Sequence, residues 1–304
     1  MIVIDQNERI GANTVAALGL FDGVHLGHRR VLAAAKKRAR ELHALPAVFT
    51  FDTLSVTSKG RLDALLTNDD KIARFEELGM EYVCEADFGA LKEQSPEEFV
   101  EDILIGRMHC VCAVCGYDFT FGKGGCANAA DLERLCKERG IEALTVSQLS
   151  IGGEAVSSTR IRELIRNGEI AHANALLGSR WQITAKVEHG AELGRTWNFP
   201  TINQPIPDGL AVPRFGVYCS KVCVDGKWLA GVTNIGVKPT VGSRERPLAE
   251  TFILDYDGDL YGRVLTTELY EFVRPEQRFA SFSDLREEIG RNTDHTKRYF
   301  ETVK

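Results

Sequence analysis

A single change of pattern constrains what this chain can fold into. From residue 14 to about residue 150, strand-like and helix-like segments alternate. Beyond about residue 180, helical periodicity disappears and short β-rich runs stand between glycine, proline and aspartate turns. In the first part, the apolar run Thr14 to Phe21 leads into a basic, alanine-rich helical run from His28 to His43. PAVFTF (46–51), a helical segment from Asn68 to Leu78 and EYVCEAD (81–87) follow. SPEEFVEDIL (95–104) carries a helix start, with Ser95 as cap, Pro96 at the first position and Glu98 three residues after the cap. A strand from Cys110 to Gly116, a helix from Ala129 to Arg139 and a strand from Ile141 to Val146 complete the series. Such alternation predicts parallel strands with crossover helices, a doubly wound α/β domain that binds ligands beyond the carboxyl ends of its strands.

The second part reads WQITAKVEH, FGVYCSKVCV, KWLAGVTNIG, ETFILDY and RVLTTELYEFV. Asp225-Gly226 between two of these runs is a hairpin signal, and Asp257-Gly258-Asp259 marks another turn. The pattern predicts a small antiparallel barrel or sandwich, closed by one helical stretch from Ser281 to Phe300. The boundary is expected near Gly178 to Arg180, after the helical run Ile170 to Leu177, which divides the chain into 1–179 and 180–304.

A chain of 304 residues has room for two cores, since domains typically hold roughly 100–200 residues. The net charge of −6 argues against a nucleic-acid surface but leaves a local loop free to bind a small anion. The opening MIVIDQNERI lacks a long apolar stretch, and nothing approaches a membrane span, so a cytoplasmic location is expected. Cys110, Cys112 and Cys115 lie close together, but Cys84, Cys126, Cys136, Cys219 and Cys223 supply no second spaced pair. The eight cysteines therefore read as small buried hydrophobes, not as a zinc site.

The chemistry concentrates in a few segments. Gly19-Leu20-Phe21-Asp22-Gly23-Val24-His25-Leu26-Gly27-His28 turns from a strand through glycines into a helix start, where free N–H groups face an anion. Two imidazoles there add donors that a plain phosphate loop lacks. Far downstream, Ser157-Ser158-Thr159-Arg160-Ile161-Arg162 offers hydroxyls at another helix start, with Arg162 one turn inside. Gly116-Tyr117-Asp118-Phe119-Thr120-Phe121-Gly122 reads equally as a strand end with a turn or as a loop beside a planar ring. In Pro200-Thr201-Ile202-Asn203 the hydroxyl and amide share a strand face, as hard oxygen donors suited to Mg²⁺ and phosphates. Glu250 opens an apolar strand and can take a proton from an attacking hydroxyl.

Together these segments resemble the bacterial bifunctional riboflavin kinase/FAD synthetase family along nearly the whole chain. The first half matches in Gly-x-Phe-Asp-Gly-Val-His-x-Gly-His, Asp-Phe-x-Phe-Gly and Ser-Ser-Thr-x-Ile-Arg. The second half matches in Gly-Arg-x-x-x-Phe-Pro-Thr-x-Asn, Asn-Ile-Gly-x-x-Pro-Thr, Leu-Asp-x-Asp-Gly-Asp-Leu-Tyr-Gly and Arg-x-Glu. The resemblance implies a Rossmann-like nucleotidyltransferase domain followed by a small antiparallel β-barrel with a C-terminal helix. It implies riboflavin phosphorylation by ATP to FMN in 180–304, then adenylylation of FMN by ATP to FAD and pyrophosphate in 1–179. By carry-over, Phe21, Asp22, Gly23, His25, His28, Ser158, Thr159 and Arg162 would hold ATP in the first domain, with His25 and His28 stabilising the phosphates in transit. Asp118, Phe119 and Phe121 would meet the flavin there. In the second, Gly194, Arg195, Thr201 and Asn203 would hold ATP, with Thr201 and Asn203 on Mg²⁺. Glu250 would act as base, and Glu250, Arg274 and Glu276 would meet the flavin. The implied partners are riboflavin, FMN and ATP, with no nucleic acid or membrane, and at most a weak homo-oligomer. The sequence departs from the family's usual pattern at 52–60, at Cys126-Ala127-Asn128, at Leu193 and at Trp197-Asn198. The departures at 52–60 and 126–128 keep open a kinase whose adenylyltransferase domain is silent. A non-catalytic flavin-binding regulator is the reading from another class.

Overall fold

The computed structural model describes residues 1–52, 63–189, 201–237 and 246–302. By spatial packing the chain divides into two compact units, Met1–Ser158 and Thr159–Lys304.

In the first unit, β1 (Ile2–Ile4), β2 (Thr14–Leu18), α1 (Leu26–Glu41), β3 (Leu45–Phe51), α2 (Asn68–Glu77) and β4 (Tyr82–Ala86) follow one another. A short α3 (Phe88–Leu91) precedes α4 (Pro96–Glu98), which continues as a π-helix over Phe99–Arg107. Its start is the capping box expected from sequence: Glu98 N–H donates to Ser95 Oγ at 3.1 Å, and Ser95 N–H to Glu98 Oε2 at 2.7 Å. Then come β5 (Cys110–Gly116), the small hairpin β6 (Thr120–Phe121) and β7 (Ala127–Asn128), α5 (Ala129–Glu138), β8 (Glu142–Val146) and a second hairpin, β9 (Ser150–Ile151) and β10 (Glu154–Ala155). The main sheet has the order β1-β4-β3-β2-β5-β8, every pair parallel. All five residues of β2 are buried, as a strand covered on both faces requires. Val15, Ala17 and Val48 pack with Val31, Leu32 and Ala35 of α1 on one face, while Ala16, Phe49 and Ala113 pack with Phe99, Leu104 and Leu132 on the other. Strand order reverses direction between β2 and β5, and a crevice opens beyond the carboxyl ends at such a point.

The second unit starts with α6 (Ser158–Asn167), whose first residue closes the first unit, and α7 (Ile170–Leu177). Both are joined to the strands that follow. Asn174 Nδ2 donates to Leu269 O at 2.8 Å, Trp181 N–H to Asn174 Oδ1 at 2.7 Å, and Arg214 N–H to Ile165 O at 3.2 Å. The change of sequence pattern at 178–180 therefore falls inside this unit. Six antiparallel strands follow: β11 (Trp181–Lys186), β12 (Thr201–Pro205), β13 (Gly216–Val224), β14 (Lys227–Val237), β15 (Pro247–Ile253) and β16 (Val264–Pro275). Their order is β11-β16-β13-β14-β15-β12. The sheet curls, and an antiparallel bridge between Glu188 and Asn203 brings β12 back beside the chain leaving β11. The buried Gln204 amide spans this closure, donating to Ala185 O at 3.2 Å and to Leu265 O at 2.7 Å. Asp225 (φ 50°) and Gly226 (φ 76°) form the tight β13–β14 turn. Helix α8 (Phe282–Thr302) ends the chain.

The cysteine reading mostly holds. Cys84, Cys110, Cys112, Cys115, Cys136 and Cys219 are buried free thiols, whereas Cys126 is exposed and Cys223 half-buried. Burial pushes the Cys219 thiol up to about 11, and Glu271 and His295 lie beside it.

Candidate active sites

In the first unit the site is built on the turn from β2 into α1. Phe21 (φ 54°), Gly23 (φ 81°) and Val24 (φ 40°) all take left-handed backbone conformations. For a β-branched residue such as Val24 this is strained, at roughly 1–3 kcal/mol, and it persists only because the surroundings fix it. Leu65 N–H donates to Asp22 Oδ1 at 2.8 Å, Val24 N–H to Phe21 O at 3.0 Å, and Arg29 Nε to Val24 O at 3.1 Å. The turn delivers His25 to the N-cap of α1, where its Nδ1 accepts the His28 N–H at 3.2 Å. The two imidazoles stack, with centroids 3.5 Å apart and planes within 15°. Gly27 makes this possible. A Cβ there would lie 3.0 Å from the His25 ring, so the His-x-Gly-His spacing leaves a gap for one ring to lie over the helix. Phe21 closes the far side, edge-on to His28 at 5.3 Å.

His28 Nδ1 is shielded from solvent and has no hydrogen-bond partner among the described residues. Burial, and next the neighbouring His25, hold this imidazole well below its usual range, so it is neutral near pH 7. A neutral imidazole still offers one N–H, and an arriving phosphate favours its protonation.

The second sequence signature reaches the same turn. Ser158 Oγ donates to Asp22 O at 2.9 Å across 136 residues of sequence. Thr159 and Arg162 follow on the same helix, α6, as part of the second unit. Asp118, Phe119 and Phe121 follow β5, the neighbour of β2 at the crevice. Phe119 stacks on Phe121 at 5.6 Å, and Phe121 is buried against Phe99, so these rings are largely core. The departure at Cys126-Ala127-Asn128 is absorbed by local structure. Ala127–Asn128 pairs with Thr120–Phe121, and Asn128 caps α5 in a capping box with Asp131.

In the second unit the polar residues converge through strand register. Asn203 of β12 lies opposite Glu250 of β15, and Glu250 lies opposite Asn234 of β14. Opposed residues of an antiparallel pair share a face, so the three form a row across the sheet. Thr201, two residues before Asn203, joins it diagonally, donating its hydroxyl to Glu250 Oε1 at 3.0 Å. Asn203 is 5% exposed, and its Oδ1 has no partner among the described residues. An orphaned buried amide oxygen beside a hydroxyl and a carboxylate is an all-oxygen donor set that fits Mg²⁺. Asn234 Nδ2 donates to Glu276 Oε1 at 3.2 Å, and that carboxylate lies against the bare backbone of Gly236, where a Cβ would come within 2.2 Å of it. Arg274 Nε is held by α8, at 2.9 Å from Glu288 and 3.4 Å from Asn292 Oδ1. Gly194 and Arg195 lie outside the described residues, as do 53–62, Leu193 and Trp197-Asn198. Sequence reasoning placed Asn234 in the Asn-Ile-Gly-x-x-Pro-Thr motif without giving it a role, and it did not single out Lys71. The register reveals the first. The second is signalled by its place four residues before Phe75 on the buried face of α2.

A family model described as FAD synthetase matches residues 7–160, and one described as riboflavin kinase matches 177–300. The bifunctional riboflavin kinase/FMN adenylyltransferase of Bacillus subtilis (strain 168) is 35% identical over 301 residues, covering 96% of this chain and 94% of that protein. The Escherichia coli (strain K12) protein of the same name is 35% identical, covering 95% and 94%. That of Listeria monocytogenes (serovar 1/2a, strain ATCC BAA-679 / EGD-e) is 33% identical, covering 98% and 96%. A solved structure titled a macrolide-efflux protein from Streptococcus pneumoniae superposes with a TM-score of 0.88 at 26% identity, covering 98% of this chain and 99% of that one. Its titled activity is said of that protein alone; among the described residues here, no helix is long and apolar enough to cross a membrane. Two family models in tandem, and relatives matched over nearly their whole length, show that this chain belongs to the bifunctional riboflavin kinase/FMN adenylyltransferase family.

Proposed function

We propose that this chain phosphorylates riboflavin with ATP to give FMN, within 180–304, and then adenylylates FMN with a second ATP to give FAD and pyrophosphate, within 1–179. The observation supporting both activities is that each unit assembles its own polar constellation from distant segments: Ser158 on Asp22 in one, Thr201 on Glu250 in the other. It acts in the cytoplasm on small molecules, with no nucleic-acid or membrane partner and at most weak self-association.

In the kinase reaction Glu250 takes the proton of the ribityl 5′-hydroxyl as that oxygen attacks the γ-phosphorus of ATP, and ADP leaves. Thr201 orients the carboxylate through its 3.0 Å hydrogen bond. Thr201 and Asn203 would hold Mg²⁺, which neutralises phosphate charge. Gly194 and Arg195 contribute to nucleotide binding, while Arg274 and Glu276 border the flavin. Because phosphoryl transfer relies on positioning and charge neutralisation, this small set suffices.

In the adenylyltransferase reaction a phosphate oxygen of FMN attacks the α-phosphorus of ATP, and pyrophosphate leaves. Phe21, Asp22 and Gly23 form the turn that receives the phosphates. His25 and His28 donate hydrogen bonds to them, and Ser158, Thr159 and Arg162 hold the triphosphate. Asp118, Phe119 and Phe121 flank the flavin. No covalent intermediate is needed, because the FMN phosphate is itself the nucleophile.

The test is to incubate purified protein with riboflavin, ATP and Mg²⁺ and separate the flavins over time. FMN that appears first and then converts to FAD is the expected result. FMN that accumulates under excess ATP would assign the chain to the kinase reaction alone. Riboflavin left unchanged would overturn the proposal.

A further inference from the structure

Among the described residues of the first unit, Lys71 on α2 is the most deeply buried cation, at 1% exposure. Its ammonium donates to Phe51 O and reaches Thr50 Oγ1 at 3.5 Å, both at the carboxyl end of β3. Thr50 Oγ1 in turn donates to Leu20 O at 3.0 Å, the carbonyl just before the strained Phe21–Val24 turn. A hydrogen-bonded path thus runs from Lys71 through Thr50 to the backbone that presents His25 and His28. Phe75, four residues along α2, supports the same turn through its edge contact with Phe21 at 5.7 Å. The charges of Glu85, Asp52 and Asp22 act on the ammonium, and Glu85 lies opposite Thr50 in the β3–β4 register. Burying an ammonium is costly, and here burial lowers its pKa to about 8 despite these three anions. A leucine or methionine would fill the same volume without that cost, so packing alone does not account for a lysine.

We propose that Lys71 is a positioning residue for adenylyl transfer. It pins the end of β3 to the Leu20–His28 turn, and it offsets three carboxylates that would otherwise repel an incoming triphosphate. This rests on reading that turn as the ATP site. Lys71 touches neither substrate nor reacting atoms; it acts through Thr50 and Leu20.

The test compares wild type, Lys71→Met and Thr50→Val in two assays on the same full-length protein: FAD formation from supplied FMN, and FMN formation from riboflavin. Lys71→Met is expected to lower kcat/KM for ATP in FAD formation by tenfold or more, chiefly through KM. Thr50→Val, which keeps shape and burial but removes the link to Leu20, should shift KM the same way by less. FMN formation should stay at the wild-type rate in both, and near-ultraviolet circular dichroism should report an intact fold. Variants that keep kcat/KM within twofold of wild type would overturn the proposal. So would a Lys71→Met protein that loses its fold together with a fully active Thr50→Val. A wild-type protein that makes no FAD from FMN would instead defeat the underlying reading of the site, separately from any effect at Lys71.

Discussion

The two units solve the same problem, holding ATP phosphates beside a flavin, with opposite uses of the backbone. In the parallel unit the proposed site rests mostly on one continuous turn. Gly19 to His28 carries the strain, the helix start and both imidazoles, and Ser158 joins from afar by a single hydrogen bond to Asp22 O. In the antiparallel unit the described residues of the proposed site are spread over separate strands. Asn203, Glu250 and Asn234 sit on three strands and meet because register places them opposite one another. A parallel sheet gathers function where its loops leave the strands, whereas a barrel writes it across the strands. The first unit should therefore be sensitive to backbone geometry as well as to its imidazoles, and the second to side-chain chemistry.

The sharpest way to break this comparison is Glu250→Gln. The amide keeps the shape of the row but cannot accept the substrate proton, so FMN formation should fall by about 10²–10⁴-fold. FAD formation from supplied FMN should not change. Chromatographic rates of the two products measure both, and near-normal FMN formation would remove Glu250 as base. His28→Ala is the mirror test, expected to lower FAD formation by about 10²–10³-fold, as for loss of a charge-stabilising donor, while FMN formation persists. Equal loss of both activities would contradict two separate sites. A smaller effect comes from Gly27→Ala. The added methyl would sit 3.0 Å from the His25 ring, so the stacked pair must shift. FAD formation should fall by about tenfold, since small misplacements of positioning groups are felt strongly in rate. An unimpaired Gly27→Ala enzyme would show that the stack is not needed for the reaction.

The fold was legible wherever periodicity is local. The alternation before residue 150, the Ser95–Glu98 capping box and the Asp225-Gly226 turn all appear where the residues predict them. Strand β1 was not, because Ile2–Ile4 is three residues long and gains its meaning only by pairing with Tyr82–Cys84 of β4. The helix beginning at Ser95 was legible from its cap, but not that it continues as a π-helix over Phe99–Arg107. The Asp257-Gly258-Asp259 turn signal falls between two turns, Leu254-Asp255, where Asp255 takes φ 54°, and Tyr261-Gly262, where Gly262 takes φ 77°. In the sites, His25 and His28 could be read together because they are three residues apart. Asn234 could not be joined to Glu250 without the β14–β15 register. Lys71 looks like a surface lysine until its helix face is known, and only the fold shows it pointing under the turn.

The smallest expected effect concerns stability and tests the electrostatic state of the first site. A free imidazole titrates near about 6.5. In the folded protein, burial and the adjacent His25 hold His28 well below that. Between the two values the unfolded chain binds a proton that the folded chain refuses. Stability contributed by the neutral ring is therefore complete above about pH 6.5 and falls as the pH drops toward the folded value. His28→Asn keeps a polar side chain without this titration. Melting temperature followed from pH 7.5 to 5.5 should thus fall further for wild type than for His28→Asn, by a few degrees. Saturating ATP should narrow the gap, because phosphate charge beside the ring favours its protonated form and draws the folded pKa back up. Parallel melting profiles for the two proteins would mean that the ring is not held neutral. The ring would then titrate as an ordinary imidazole does, and the first site would owe its charge to protonation of the side chain when ATP arrives, not to a buried ring that the fold keeps neutral.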